Sequence, residues 1–260
     1  MRADARPEEP VAGRSVAASP ALSTYREGSL HAALKELYAG PAGRTEETVD
    51  GFVVDVVRDN ELIEIQTASF SSAARKLRRL VEAHCVALVH PIAAERWLLR
   101  VDADGVVADR RRSPKRGRPI DIFEELVAFP ELVAHPNFRL ELAMIREEEI
   151  RGPIPDGARY RYPREWWRLD RRLLEIVETI RIDTPADLLA LLPAGLPSPF
   201  TTADIVAVSR RSKRLAMRST YCLSKAGAIR GVGRSGRLLS YEVVAAGRRA
   251  AEVTAADYGQ

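Results

Sequence analysis

Residues 52–67 read FVVDVVRDNELIEIQT, and they decide the fold. Two runs rich in β-branched residues flank the polar turn Arg58-Asp59-Asn60, a pattern that predicts an antiparallel hairpin. Side chains alternate between the faces of a strand, so Glu64 and Gln66 share one face. Asp55 stands on the first strand amid Phe52, Val53, Val54, Val56 and Val57. Three polar groups thus project from an otherwise apolar hairpin. A buried carboxylate is costly unless paired or bound to a metal, so two of them close together require a chemical reason. The plain alternative is a hairpin with solvent-facing acids, and Glu61 reads as one of those.

The flanking stretches extend the pattern. Upstream, SLHAALKELYAG sets Leu30, Leu34 and Leu37 on one helical stripe, stopped by Gly40 and Pro41. Downstream, SSAARKLRRLVEAH predicts a helix with Leu77, Leu80 and Val81 inward. CVALVHPI is an unbroken apolar run, expected of a strand covered on both faces. ERWLLRVDADG predicts one more strand and a turn, followed by a basic loop over 109–119. DIFEELVAFPELVAHP reads as a helix interrupted at Pro130, and FRLELAMI alternates with a period of two, as a strand does. The implied fold class is α/β, a mixed sheet flanked by helices over residues 29–150.

This order, helix, strand with Asp, strand with Glu-x-polar, helix, strand, resembles the PD-(D/E)XK nuclease superfamily, whose fold is restriction-endonuclease-like. The resemblance covers about residues 29–102. It implies that Asp55 and Glu64 bind Mg²⁺ or Mn²⁺ for phosphodiester hydrolysis. The family's lysine, two residues after the Glu, is replaced here by Gln66, and Val54 stands where a proline often precedes the Asp. Lys76, in the following helix, is the candidate for a migrated cation. The resemblance assigns catalytic roles to Asp55, Glu64, Gln66 and Lys76. Glu36, with Glu47 behind it, is the candidate for a further acid from the first helix.

Charge points the same way. The 260 residues carry 40 Lys and Arg against 36 Asp and Glu, a net +4, but the excess is local. RRRSPKRGR at 110–118 holds no acid, and neither do residues 205–241. Basic stretches of this kind suit a polyanion, since each neutralised phosphate releases counterions. Within the second stretch, Thr201-Thr202-Ala203-Asp204 is a capping box. Ser209 is placed to cap the next helix, Gly227 to end it, and GVGRSGRLLSYEVV reads as a hairpin. Helix, turn, helix and basic hairpin is the order of a winged helix-turn-helix. On that reading Arg210, Arg211, Lys213, Arg214 and Arg218 line the helix that meets nucleic acid, Arg234 and Arg237 lie at the hairpin tip, and Lys115 and Arg116 line a channel.

Two cysteines, Cys85 and Cys222, are too few for a disulfide scaffold or a thiolate zinc site, and four histidines show no metal-ligand spacing. His31 and His90 read as structural. No apolar run is long enough for a membrane span and no secretory signal is visible, so a cytoplasmic protein without membrane partners is expected. The organisation reads as a disordered leader (1–28), the α/β domain (29–150), a basic aromatic linker (151–168), a winged-helix domain (169–245, with RRLLEIVETI and PADLLALL helical) and a tail (246–260). In the linker, Trp166 and Trp167 read as packing anchors. Duplex DNA is the expected partner, with a homodimer left open. Three functional readings stand: a Mg²⁺-dependent DNA nuclease, a degenerate DNA-binding regulator or adaptor on the same fold, and a transcription regulator sensing a small ligand.

Overall fold

The computed structural model of the chain describes residues 28–154 and 166–244. The expected leader, apart from Gly28, the tail and most of the linker lie outside the described residues. Helix α1 (Ser29–Ala39) is followed by a meander of β1 (Arg44–Val49), β2 (Phe52–Arg58) and β3 (Glu61–Ile65). The two turns of the meander are two-residue turns with both central residues in the left-handed region: Asp50 and Gly51 at φ 49° and 80°, Asp59 and Asn60 at 50° and 64°. Turns of this hand match the twist of paired strands. The run from Thr48 to Val57 is therefore two strands broken at Asp50-Gly51, and β1 extends the expected hairpin to a three-stranded meander.

A parallel neighbour requires a crossover, and α2 (Ala74–Leu80) supplies it, returning the chain to β4 (Cys85–Val101) alongside β3. Strand β5 (Val107–Arg112) folds back on the far end of β4. One-turn helical segments at 119–122 and 130–134, with α3 (Phe123–Leu126) between them, lead to β6 (Phe138–Gly152), parallel to β4. Strand β7 (Trp167–Ile182) closes the sheet antiparallel to β6. The result is a mixed seven-stranded sheet in the order β1-β2-β3-β4-β6-β7, with β5 also on β4, flanked by helices as expected.

Residues 171–180, expected as a helix, lie within β7. Their spacing of leucines fits a helix, but Ile176, Val177, Thr179, Ile180 and Ile182 are β-branched, and the long edge of β6 offers the pairing that decides between the two. The expected domain boundary at 151–168 is consequently a connection between two neighbouring strands of one sheet.

One face of the sheet is covered by α1, through Leu30 and Leu34 on Val56, Ile63, Ile65, Val89 and Ile145. The other face carries the larger core, and here the C-terminal elements join. They are α4 (Pro185–Leu189), β8 (Phe200–Thr201), α5 (Thr202–Ser209), α6 (Lys213–Lys225), β9 (Ile229–Ser235) and β10 (Leu238–Val243), the strands forming a small sheet in the order β8-β10-β9. Leu215, Cys222, Leu223 and Ile229 share one core with Phe123, Leu126 and Leu142, so no break in packing separates the two parts. The capping box forms: the Thr201 side chain accepts from the Asp204 N–H, and the Asp204 carboxylate accepts from the Thr201 N–H. The cap of α6 is Ser212, not Ser209. Among the described residues no helix is long and apolar enough to cross a membrane.

One edge of β4 positions everything that follows. Strand β3 occupies it at Cys85–Val89 and β5 at Trp97–Val101. Between them the edge is met by single contacts: the Gln66 N–H on Val89 O (2.9 Å), the Gly117 N–H on Ala93 O (2.8 Å) and the Ser113 N–H on Arg96 O (2.8 Å).

Candidate active site

The β2–β3 register pairs Val56 with Ile63, which sets Asp55 beside Glu64 one step further along. There the ladder opens. In place of a backbone partner, the Ile65 N–H donates to Asp55 Oδ2 at 2.8 Å. Glu64 is buried beneath α2, and Lys76 of that helix forms an ion pair with its Oε1 while also donating to the Val53 carbonyl. From α1, His31 Nε2 lies 2.9 Å from the Ile65 carbonyl oxygen and 3.4 Å from Asp55 Oδ2. Asp55, Glu64 and Lys76 are thus brought together as the sequence suggested.

Gln66 sits at the end of β3, but its amide serves the adjoining turn, donating to Ser69 O (2.7 Å) and Ser72 Oγ (3.0 Å). Its own carbonyl lies 2.6 Å from His90 Nδ1. Glu36 is exposed and lines a shallow groove with Leu37, Leu173 and Leu174, away from this point, and Glu47 pairs along β1 with Arg44. The α1 residue at the site is His31. Sequence reasoning missed it because a single histidine on a helix carries no spacing signal; only the packing of α1 across β2 and β3 brings it to Asp55.

Burial and Asp55's charge, opposed by Lys76, push the Glu64 carboxyl up to about 7. Burial also acts to raise Asp55, but hydrogen bonds from His31 and the Ile65 N–H, with the charges of His31 and Lys76, outweigh it and hold that carboxyl below its ordinary value. One acid thus stays ionised while its neighbour titrates near neutrality. Burial drives the His90 imidazole down to about 4, so it is neutral.

Asp55 Oδ2 and the Ile65 carbonyl face a common point held by His31 Nε2, and the buried Glu64 Oε1 is met by Lys76. These are hard oxygen donors of the kind Mg²⁺ and Mn²⁺ take. Among the described residues no three His, Cys, Asp or Glu side chains form a ready-made cage for a metal, so a cation here would rely on a main-chain oxygen and on adjustment of His31 or Lys76.

The basic stretches are less free than their sequences suggest. Arg110 donates to Glu148 of β6 (2.9 Å) and stacks on Trp97, and Arg112 pairs with Glu95 (2.5 Å). Arg211 is held by Asp121 (2.7 Å), and Arg214 and Arg218 both reach Glu124. Of the residues assigned to nucleic acid, Arg210, Lys213, Arg234, Arg237 and Lys115 are exposed without an ion pair among the described residues, and Arg116 is exposed with only a long contact to Glu95 (3.9 Å). Of the two tryptophans, Trp166 is half-buried under the Arg151 guanidinium, 3.4 Å from the ring centre, consistent with an anchor.

The sequence profile of the family described as Domain of unknown function (DUF8091) matches residues 28–183. The chain belongs to this family. The DUF8091 match runs from α1 to the end of β7, so it takes in the whole seven-stranded sheet and the candidate site. An uncharacterized protein of Treponema pallidum (strain Nichols) is 30% identical over 186 residues, 71% of this chain and 73% of that protein. No solved structure matches the chain.

Proposed function

We propose that this DUF8091 protein is a metal-dependent phosphodiesterase acting on DNA, with a restriction-endonuclease-like core and a C-terminal winged-helix element that helps to hold the substrate. The observation that carries the reading is the convergence of Asp55, Glu64 and Lys76 at the open end of the β2–β3 ladder. The element order supports it: a helix, a three-stranded meander, a crossover helix and a strand parallel to the third. The helix-turn-helix and hairpin at 202–243 support DNA as the partner, and a cytoplasmic site of action fits that substrate.

Asp55, the Ile65 carbonyl and Glu64 would hold Mg²⁺ or Mn²⁺, with His31 adjoining. A cation held there would polarise a phosphodiester and lower the pKa of a bound water. Asp55 stays ionised and supplies fixed negative charge. Glu64, which without metal is held near neutrality, would give up its proton as the cation binds. Lys76 supplies the positive charge that Gln66 cannot, stabilising charge that develops on the phosphate. Gln66 holds the turn at Ser69 and Ser72.

A second reading, a degenerate DNA-binding adaptor, draws on one observation: Lys76 is already paired with Glu64, and Gln66 faces a turn. Incubation with supercoiled, linear, branched and single-stranded DNA in Mg²⁺ and Mn²⁺ separates the two. Cleavage should vanish in Asp55→Asn and Glu64→Gln, fall in Lys76→Ala, and persist or rise in Gln66→Lys. If no substrate is nicked and neither metal moves the melting temperature, the adaptor reading stands instead.

A further inference from the structure

The two acid-free basic stretches lie about a hundred residues apart in sequence, yet they meet on one surface. Arg118 donates to the Ser209 carbonyl (3.4 Å), and Arg211 reaches the Arg116 carbonyl (3.5 Å) and Asp121. These contacts join the loop at 113–118 to the α5–α6 turn. The loop itself is fixed. Ser113 is buried and bonded to β4, and Gly117 lies so close that a Cβ there would stand 2.5 Å from Ile92 Cγ2 and 2.9 Å from Ala93 O.

The turn is equally defined. Arg210 ends α5 in the left-handed region at φ 54°, a position that ordinarily favours glycine. Ser212 then caps α6, a helix of 13 residues, whose N-terminal dipole adds positive potential. Lys115 and Arg116 of the loop and Arg210 and Lys213 of this turn are exposed.

Arg211 and Arg218, by contrast, are spent on Asp121 and Glu124 of the main domain. The face of α6 that a groove-reading helix would insert is therefore turned partly inward. On the same edge of β4, Gly117 meets Ala93 and Gln66, next after β3, meets Val89, four residues or about 13 Å along the strand.

We propose that duplex DNA docks on this composite surface, and that the surface reads backbone phosphates and not sequence. The inference rests on the DNA reading above and specifies how that partner is held. Four phosphate contacts give a log–log salt slope of about −3.6, so affinity should fall about 150-fold between 50 and 200 mM salt. Fluorescence-anisotropy titrations of the full chain with two unrelated 30-bp duplexes should give equal affinities within threefold. Replacing Lys115, Arg116, Arg210 and Lys213 together with Gln should weaken binding at least tenfold and flatten the slope to near zero, with the melting temperature unchanged. If that variant keeps wild-type affinity while Arg234→Gln/Arg237→Gln loses it, the surface is the β9–β10 hairpin and the proposal is wrong. A hundredfold preference between the duplexes would also overturn it. If the wild-type chain binds neither duplex at 50 mM salt, the DNA reading itself falls.

Discussion

Replacing Glu64 with Gln removes the one carboxyl among the described residues that the fold forces to titrate near neutrality. Burial and the adjacent Asp55 raise Glu64 from its ordinary 4.5 to about 7. At about 1.4 kcal/mol for each tenfold change in proton affinity, this corresponds to about 3 kcal/mol. The sign follows from linkage. The folded chain holds this proton more tightly than the unfolded chain, so Glu64 costs nothing below pH 4.5. The cost grows as pH rises and is complete above pH 7. Gln is isosteric and does not titrate. Urea denaturation in EDTA at pH 4.5, 6 and 8 should therefore show the stability of Glu64→Gln gaining about 3 kcal/mol on wild type across that range. The m-value should be the same in both. In an Asp55→Asn background the gain should shrink, since the repelling charge is gone. A divalent cation should offset most of this gain at pH 8, stabilising wild type by about 2.7 kcal/mol at a hundredfold excess over its Kd. A stability difference that stays flat with pH would refute the argument that Glu64 is buried against Asp55.

Two further perturbations probe the surroundings. His90 is depressed to about 4 by burial, so its contribution is present above pH 6.5 and is lost as pH falls toward 4; urea denaturation at pH 7 and 4 should show wild type losing about 3 kcal/mol relative to His90→Asn, whose amide can still meet the Gln66 carbonyl. Gly117→Ala forces a methyl group against Ile92 and the Ala93 carbonyl, and it should cost about 1–3 kcal/mol by thermal melting, whereas Gly105→Asn, in an open turn, should cost far less.

The local features were legible because their causes are local. The alternation around Asp55 and Glu64 encodes the hairpin; side-chain-to-backbone geometry three residues apart encodes the cap at Thr201–Asp204. Gly227, at φ 80°, ends α6 as its position suggested. The Asp50-Gly51 turn is equally local, a dipeptide suited to a tight hairpin.

What the sequence did not contain was long-range. Residues 171–180 have a leucine spacing compatible with a helix, and only the long unpaired edge of β6 makes a strand the better solution. Runs without acids looked like free positive charge, yet Glu95, Glu124, Glu148 and Asp121 arrive from other elements to neutralise much of it. His31 gained its place at Asp55 only when α1 packed across the sheet. The sequence by itself determined the Asp55–Glu64 hairpin, the crossover helix with Lys76 and the capped C-terminal helices, because propensity, period and capping act within a few residues. Tertiary structure decided the extent of the sheet, the partner of each charge and the histidine at the site, because strand pairing and ion pairing depend on which distant groups the fold brings within a few ångströms.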